Sequence, residues 1–118
     1  SQSCNNQNWW LLANSTDPGN QIEWLHQELY KAEKNQEQVY IIGHIPPNDG
    51  DCISTWSGHY ATLIDRFQNI IKGQFYGHTH KDYLSLSYGV FDQKPAGVIY
   101  IAPSLTTYTN KNPSFKVY

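Results

Sequence analysis

Two stretches of the sequence place the same dipeptide where metal chemistry could occur. Gly43-His44 follows the β-prone run Val39-Tyr40-Ile41-Ile42, and Gly77-His78 follows Gln74-Phe75-Tyr76, with His80 two residues further on. Neutral imidazole binds first-row divalent metals well, at about 2.0–2.1 Å for zinc. In open α/β sheets ligands gather beyond the carboxyl ends of strands, so imidazoles issuing from neighbouring strand ends would converge there. A glycine before each allows close backbone approach. The competing reading makes each histidine a capping or hydrogen-bonding residue at a loop entrance. His26 and His59 lie within helical patterns and read as partly exposed. No carboxylate accompanies the three histidines at a metal-like spacing: Asp49, Asp51 and Asp82 read as solvated loop residues. Ser104 has no nucleophile elbow, and no glycine loop of the phosphate-cradling type is present.

The elements that must carry these residues alternate. Trp9-Trp10-Leu11-Leu12-Ala13 reads as a buried strand. Asp17-Pro18 then starts a helix, with Asp able to cap free amides and Pro tolerated in the first turn. The stripe Ile22, Leu25, Leu29 and Ala32 predicts its buried face, and Asn35 ends it. After the strand at 39–42, Pro46-Pro47 forbids further ladder bonding. A second helix is expected over about 55–71, with Tyr60, Leu63, Ile64, Phe67, Ile70 and Ile71 at helical spacing and Lys72-Gly73 as its end. The strand 74–76 follows. Strand, helix, strand, helix, strand implies parallel neighbours joined by right-handed crossovers. Beyond His80 the alternation at 83–88 and the run 98–102 predict a hairpin, and Phe115 to Tyr118 a last strand.

With 118 residues the chain is the size of one ordinary domain. A net charge of −2 and only 15% charged residues, without a basic run, argue against a nucleic-acid partner. No apolar stretch approaches the roughly 18–20 residues that cross a bilayer, so no transmembrane segment is expected. Ser1 to Asn6 contain neither an initiator Met nor a signal-like segment, and the expectation is a piece of something longer. Ten Asn, nine Gln and nine Tyr supply polarity without charge, which is compatible with a secreted or lysosomal protein. Asn14-Ser15-Thr16 is a glycosylation sequon, a pattern that also arises by chance. Cys4 and Cys52, the two cysteines, either bond in an oxidising compartment or stand as buried thiols. A bridge between them would be worth about 4 kcal/mol in the chain-entropy model.

Tyr40-Ile41-Ile42-Gly43-His44-Ile45-Pro46-Pro47 together with Gln74-Phe75-Tyr76-Gly77-His78-Thr79-His80 resembles the calcineurin-like metallophosphoesterases, and within them the acid sphingomyelinase group. The likeness extends to Trp10-Leu11-Leu12 and Asn14 to Pro18 upstream, and to Ala102-Pro103-Ser104, Thr106-Thr107-Tyr108 and Asn112-Pro113 downstream. It implies an α/β fold: part of a four-layer α-β-β-α sandwich, of which residues 1–118 are the C-terminal half of the catalytic domain and the upstream half is absent. It also implies a centre of two zinc ions, with His44 and His78 on one ion and His80 on the other. Cys4 and Cys52 fall where the family has a bridge, Asn14 remains the glycosylation candidate, and Tyr108 matches a position near the substrate head group, where its ring could attract a choline cation.

The activity implied is hydrolysis of sphingomyelin to ceramide and phosphocholine, in an enzyme located in the lysosome or secreted. The family's upstream ligand motifs, Asp-x-His, Gly-Asp and Gly-Asn-His, have no match here. The chain alone is therefore expected to be inactive, and the missing half of the domain is its implied partner. Two alternatives stand beside this: a related phosphodiesterase acting on nucleotides, and a non-catalytic binding module on the same scaffold. One departure from the family is the loop Asn48-Asp49-Gly50-Asp51, which is longer than expected between the double proline and Cys52.

Overall fold

A computed structural model describes residues 4–5 and 16–118. The expected strand at 9–13 and the sequon asparagine Asn14 lie outside the described residues.

The first helix begins as expected but in two steps. A 3-10 turn, Pro18–Asn20, precedes α1, Gln21–Lys34. The Asp17 carboxylate accepts the amides of Ile22 (2.9 Å) and Glu23 (3.1 Å), satisfying donors that a helix start leaves free. Leu29 and Ala32 are buried, Ile22 and Leu25 pack against the core, and Asn35 closes the helix. Strand β1, Val39–Ile42, follows, then α2, Ser54–Arg66, and β2, Ile71–Tyr76. Helix α2 thus ends five residues before the expected position. Phe67 turns the chain, its carbonyl taking the amides of Ile70 and Ile71. Ile71 then opens β2, opposite Val39 of β1, rather than extending a helical face. Arg66 grips Glu33 with both terminal guanidinium nitrogens (2.8 and 2.9 Å), tying α2 to α1 and holding the Glu33 carboxyl below its ordinary range.

Strands β3, Tyr83–Tyr88, and β4, Pro95–Ile101, form the expected antiparallel hairpin, with Pro95 at the first position of its strand, where a missing amide is tolerated. The four strands make one mixed sheet in the order β1-β2-β4-β3, with β1·β2 and β2·β4 parallel. This is α/β architecture with one sheet and two helices; a second sheet is not seen among the described residues, so the four-layer sandwich is not reproduced. Residues 115–118 form no strand. Phe115, Val117 and Tyr118 are exposed, and instead of pairing at an edge the Tyr118 ring lies edge-on to Phe75 (4.9 Å) and Tyr100 (5.6 Å). Among the described residues, no helix is long and apolar enough to cross a membrane.

Alternation assigns the two faces of the sheet. Ile41, Gln74, Tyr76, Ile99 and Ile101 share the face that meets Trp56, Tyr60 and Ile64 of α2, and the core lies between them. The opposite face carries Tyr40, Ile42, Leu84, Phe75 and Tyr100, and its first three are more than half exposed.

Candidate metal centre

The ladder between strands continues beyond their formal ends and fixes the two Gly-His dipeptides side by side. Gly43 donates to the Phe75 carbonyl (2.9 Å), Gly77 to the His44 carbonyl (2.9 Å), and Ala102 to the Tyr76 carbonyl (2.8 Å). The His44 and His78 rings end 5.2 Å apart, edge to face. His78 and His80 both take left-handed backbone, with φ of 67° and 57°, and the Thr79 amide between them bonds the Gly77 carbonyl at 2.8 Å. For a residue with a Cβ this conformation costs roughly 1–2 kcal/mol, and such strain concentrates at functional sites. His80 turns its ring toward Tyr108, 6.1 Å away. His78, His80 and Tyr108 line one cleft of about 310 Å³ with Thr79, Thr109 and Lys111, and the Lys111 ammonium donates to the Thr79 carbonyl at 2.7 Å.

The carboxylates correct the sequence reading. Asp49 and Asp51 are not simply solvated: with His78 they form a group whose ligand atoms all lie within 4.8 Å of one another. His78 Nε2 meets Asp51 Oδ2 at 2.7 Å. Asp49 receives the Asp51 amide on Oδ1 (3.1 Å), while its own amide bonds the Pro46 carbonyl (3.0 Å). The neighbouring Cys52 is disulfide-bonded to Cys4, and the Asn5 amide bonds the Asp51 carbonyl at 2.7 Å. Ser57 on α2 holds the Pro47 carbonyl, and Asn48 reaches Ser85 of β3. The signal available in sequence was two aspartates at i and i+2 beside a cysteine, in the loop Asn48-Asp49-Gly50-Asp51. Asp82 is also partnered, pairing with Lys116 at 2.5 Å and raising the Lys116 pKa, but outside this cluster. His26 and His59 are exposed on their helices, as expected.

Beneath the rim lies a polar trio. The Tyr60 hydroxyl bonds Gln74 Oε1 (2.7 Å) and the Tyr76 hydroxyl (2.8 Å), and Gln74 is fully buried. Burial pushes the Tyr60 phenol well above its ordinary range and that of Tyr76 to about 12. The Tyr76 ring presses on Gly43, where an added Cβ would come within 2.5 Å of it; at Gly77 the nearest atom, His44 Nδ1, would be an ordinary 3.8 Å away. Close approach therefore explains Gly43 and not Gly77.

Nitrogen and carboxylate donors on an accessible rim suit a divalent metal ion. Among the described residues the donors that converge are those of Asp49, Asp51 and His78; the His44 ring stands 5.2 Å from that of His78 but outside this group, and His80 lies nearer Tyr108.

No family model matches the chain. Over 98% of its length the chain is 46% identical to "Sphingomyelin phosphodiesterase" of Bos taurus and 45% identical to that of Homo sapiens, spanning 18% of each. It is also 39% identical, over 81% of its length, to "Cyclic GMP-AMP phosphodiesterase SMPDL3A" of Homo sapiens, of which it matches 22%.

Proposed function

Because the chain is homologous over nearly its whole length to the acid sphingomyelinase group, we propose that it contributes metal ligands to a phosphodiesterase hydrolysing sphingomyelin to ceramide and phosphocholine. The observation that carries this reading is the 5.2 Å approach of His44 and His78 at adjacent strand ends. In this reading His44 and His78 hold one zinc ion, His80 holds a second, and residues outside this chain complete both. Bound zinc supplies a nucleophilic water and charge compensation on the phosphoryl oxygens. The residues of this chain position the ions: the parallel ladder sets the distance between His44 and His78, and the left-handed turn delivers His78 and His80 from one short segment. The open face bearing Tyr40, Ile42 and Leu84 supports a further layer packed there in the complete domain, supplied by its missing half. The Cys4–Cys52 bridge supports a secreted or lysosomal location, with Asn14 glycosylated.

A second reading, a nucleotide phosphodiesterase, is favoured by one residue. Lys111 places a cation in the cleft with Tyr108, which opposes a choline ammonium on that ring and suits an anionic group.

The test is hydrolysis by the longer protein that contains this sequence, with sphingomyelin and a cyclic dinucleotide offered side by side. The expected result is sphingomyelin turnover that falls more than about 100-fold in His78→Ala, beyond what losing an outer-shell contact costs. Cleavage of the nucleotide alone selects the second reading. Turnover of neither, with zinc bound, leaves a binding module and overturns both.

A further inference from the structure

We propose that Asp51 is a positioning residue for His78, fixing its ring as the Nε2–H tautomer so that Nδ1 is the nitrogen offered to a cation. The inference rests on the metal-centre reading above. An ionised carboxylate can only accept a hydrogen bond, so at the 2.7 Å contact with Asp51 Oδ2 the proton is on His78 Nε2. A neutral imidazole has one such proton, and the lone pair is left on Nδ1. Histidine ligands characteristically give their other ring N–H to a carboxylate or carbonyl, which sets tautomer and ring orientation and raises ligand basicity.

Asp51 is built to do this. Its amide is held by Asp49 Oδ1, its carbonyl takes the Asn5 amide, and the next residue is anchored by the Cys4–Cys52 bridge. The loop is thereby fastened on both sides of the side chain that hydrogen-bonds His78 in the turn after β2. The groups facing His78 are Asp51 and Asp49 from this loop, the His44 ring from the end of β1, and His80, Tyr108 and Lys111 across their shared cleft. The His78 backbone is in the strained left-handed region, and the ring makes its hydrogen bond with a residue 27 positions away. The longer loop thus supplies an orienting contact for a ligand that lies outside the loop.

The experiment has two readouts. Histidine-ring nitrogen spectroscopy of the 118-residue chain, above the ordinary imidazole titration range, reports the tautomer without metal. Zinc competition against a chromophoric chelator in the longer protein reports the cation. The expected results are a single Nε2–H form for His78, a mixture in Asp51→Ala, and return of the single form in Asp51→Asn, whose amide oxygen still accepts the bond. Zinc binding should weaken by about 10- to 100-fold in Asp51→Ala and largely recover in Asp51→Asn. An unchanged tautomer in Asp51→Ala overturns the proposal. So does an Asp51→Asn variant as defective toward zinc as Asp51→Ala, which would make the carboxylate itself a ligand, with Asp49 and His78. The tautomer readout is independent of catalysis, so it separates failure of this inference from failure of the sphingomyelin reading.

Discussion

The ends of β1 and β2 carry the same Gly-His dipeptide and meet its demands in opposite ways. At β1 the glycine is sterically required, because the buried Tyr76 ring occupies the space a side chain would need, while His44 itself is outside the left-handed region. At β2 the glycine has room to spare and the strain sits in the histidines, with His78 and His80 both at positive φ. One motif therefore has two physical explanations. The first is packing inherited from the core, and the second is a turn that aims two rings from three residues.

Substitution breaks the symmetry most directly. Gly43→Ala should destabilise the chain by about 1–3 kcal/mol, as an overpacked core site does, since Tyr76 is pinned by Tyr60 and cannot swing aside. Gly77→Ala should be neutral or stabilise by up to about 1 kcal/mol, through the reduced freedom of the unfolded chain. Urea denaturation of the two variants measures the difference, and equal losses would refute the distinction.

The packing behind Gly43 should also show in alkali. Tyr76 keeps its proton up to about 12 when folded, whereas in the unfolded chain a tyrosine loses it near about 10. Between these values the folded state binds more protons, so stability falls as pH rises, by about 1.4 kcal/mol per pH unit for each such tyrosine. Below that window the contribution is fully present. Denaturation series across it should show the decline, flattened in Tyr76→Phe; a pH-independent midpoint would mean the phenol is not buried as described.

Much of this was legible in the sequence for identifiable reasons. The apolar stripe of α1, its start at Asp17 and the Gly-His strand ends follow local rules, and the structure reproduces them. The end of α2 was misread because Ile70 and Ile71 continue a helical spacing by coincidence, whereas Ile70 falls in the turn and the sheet claims Ile71. The strand expected at 115–118 failed because alternation says nothing about whether an edge is available to pair with. Asp51 was invisible as a partner of His78 because the contact is made across the fold, by a loop whose position depends on a disulfide between distant residues.

In the proposed reading, the imidazoles of this chain are part of a two-ion centre completed by other polypeptide. Elemental zinc counting on the purified 118-residue chain, beside the longer protein, tests it most directly. Two ions are expected in the longer protein and fewer than two in the chain alone; equal loading of the two, at any level, would refute that reading.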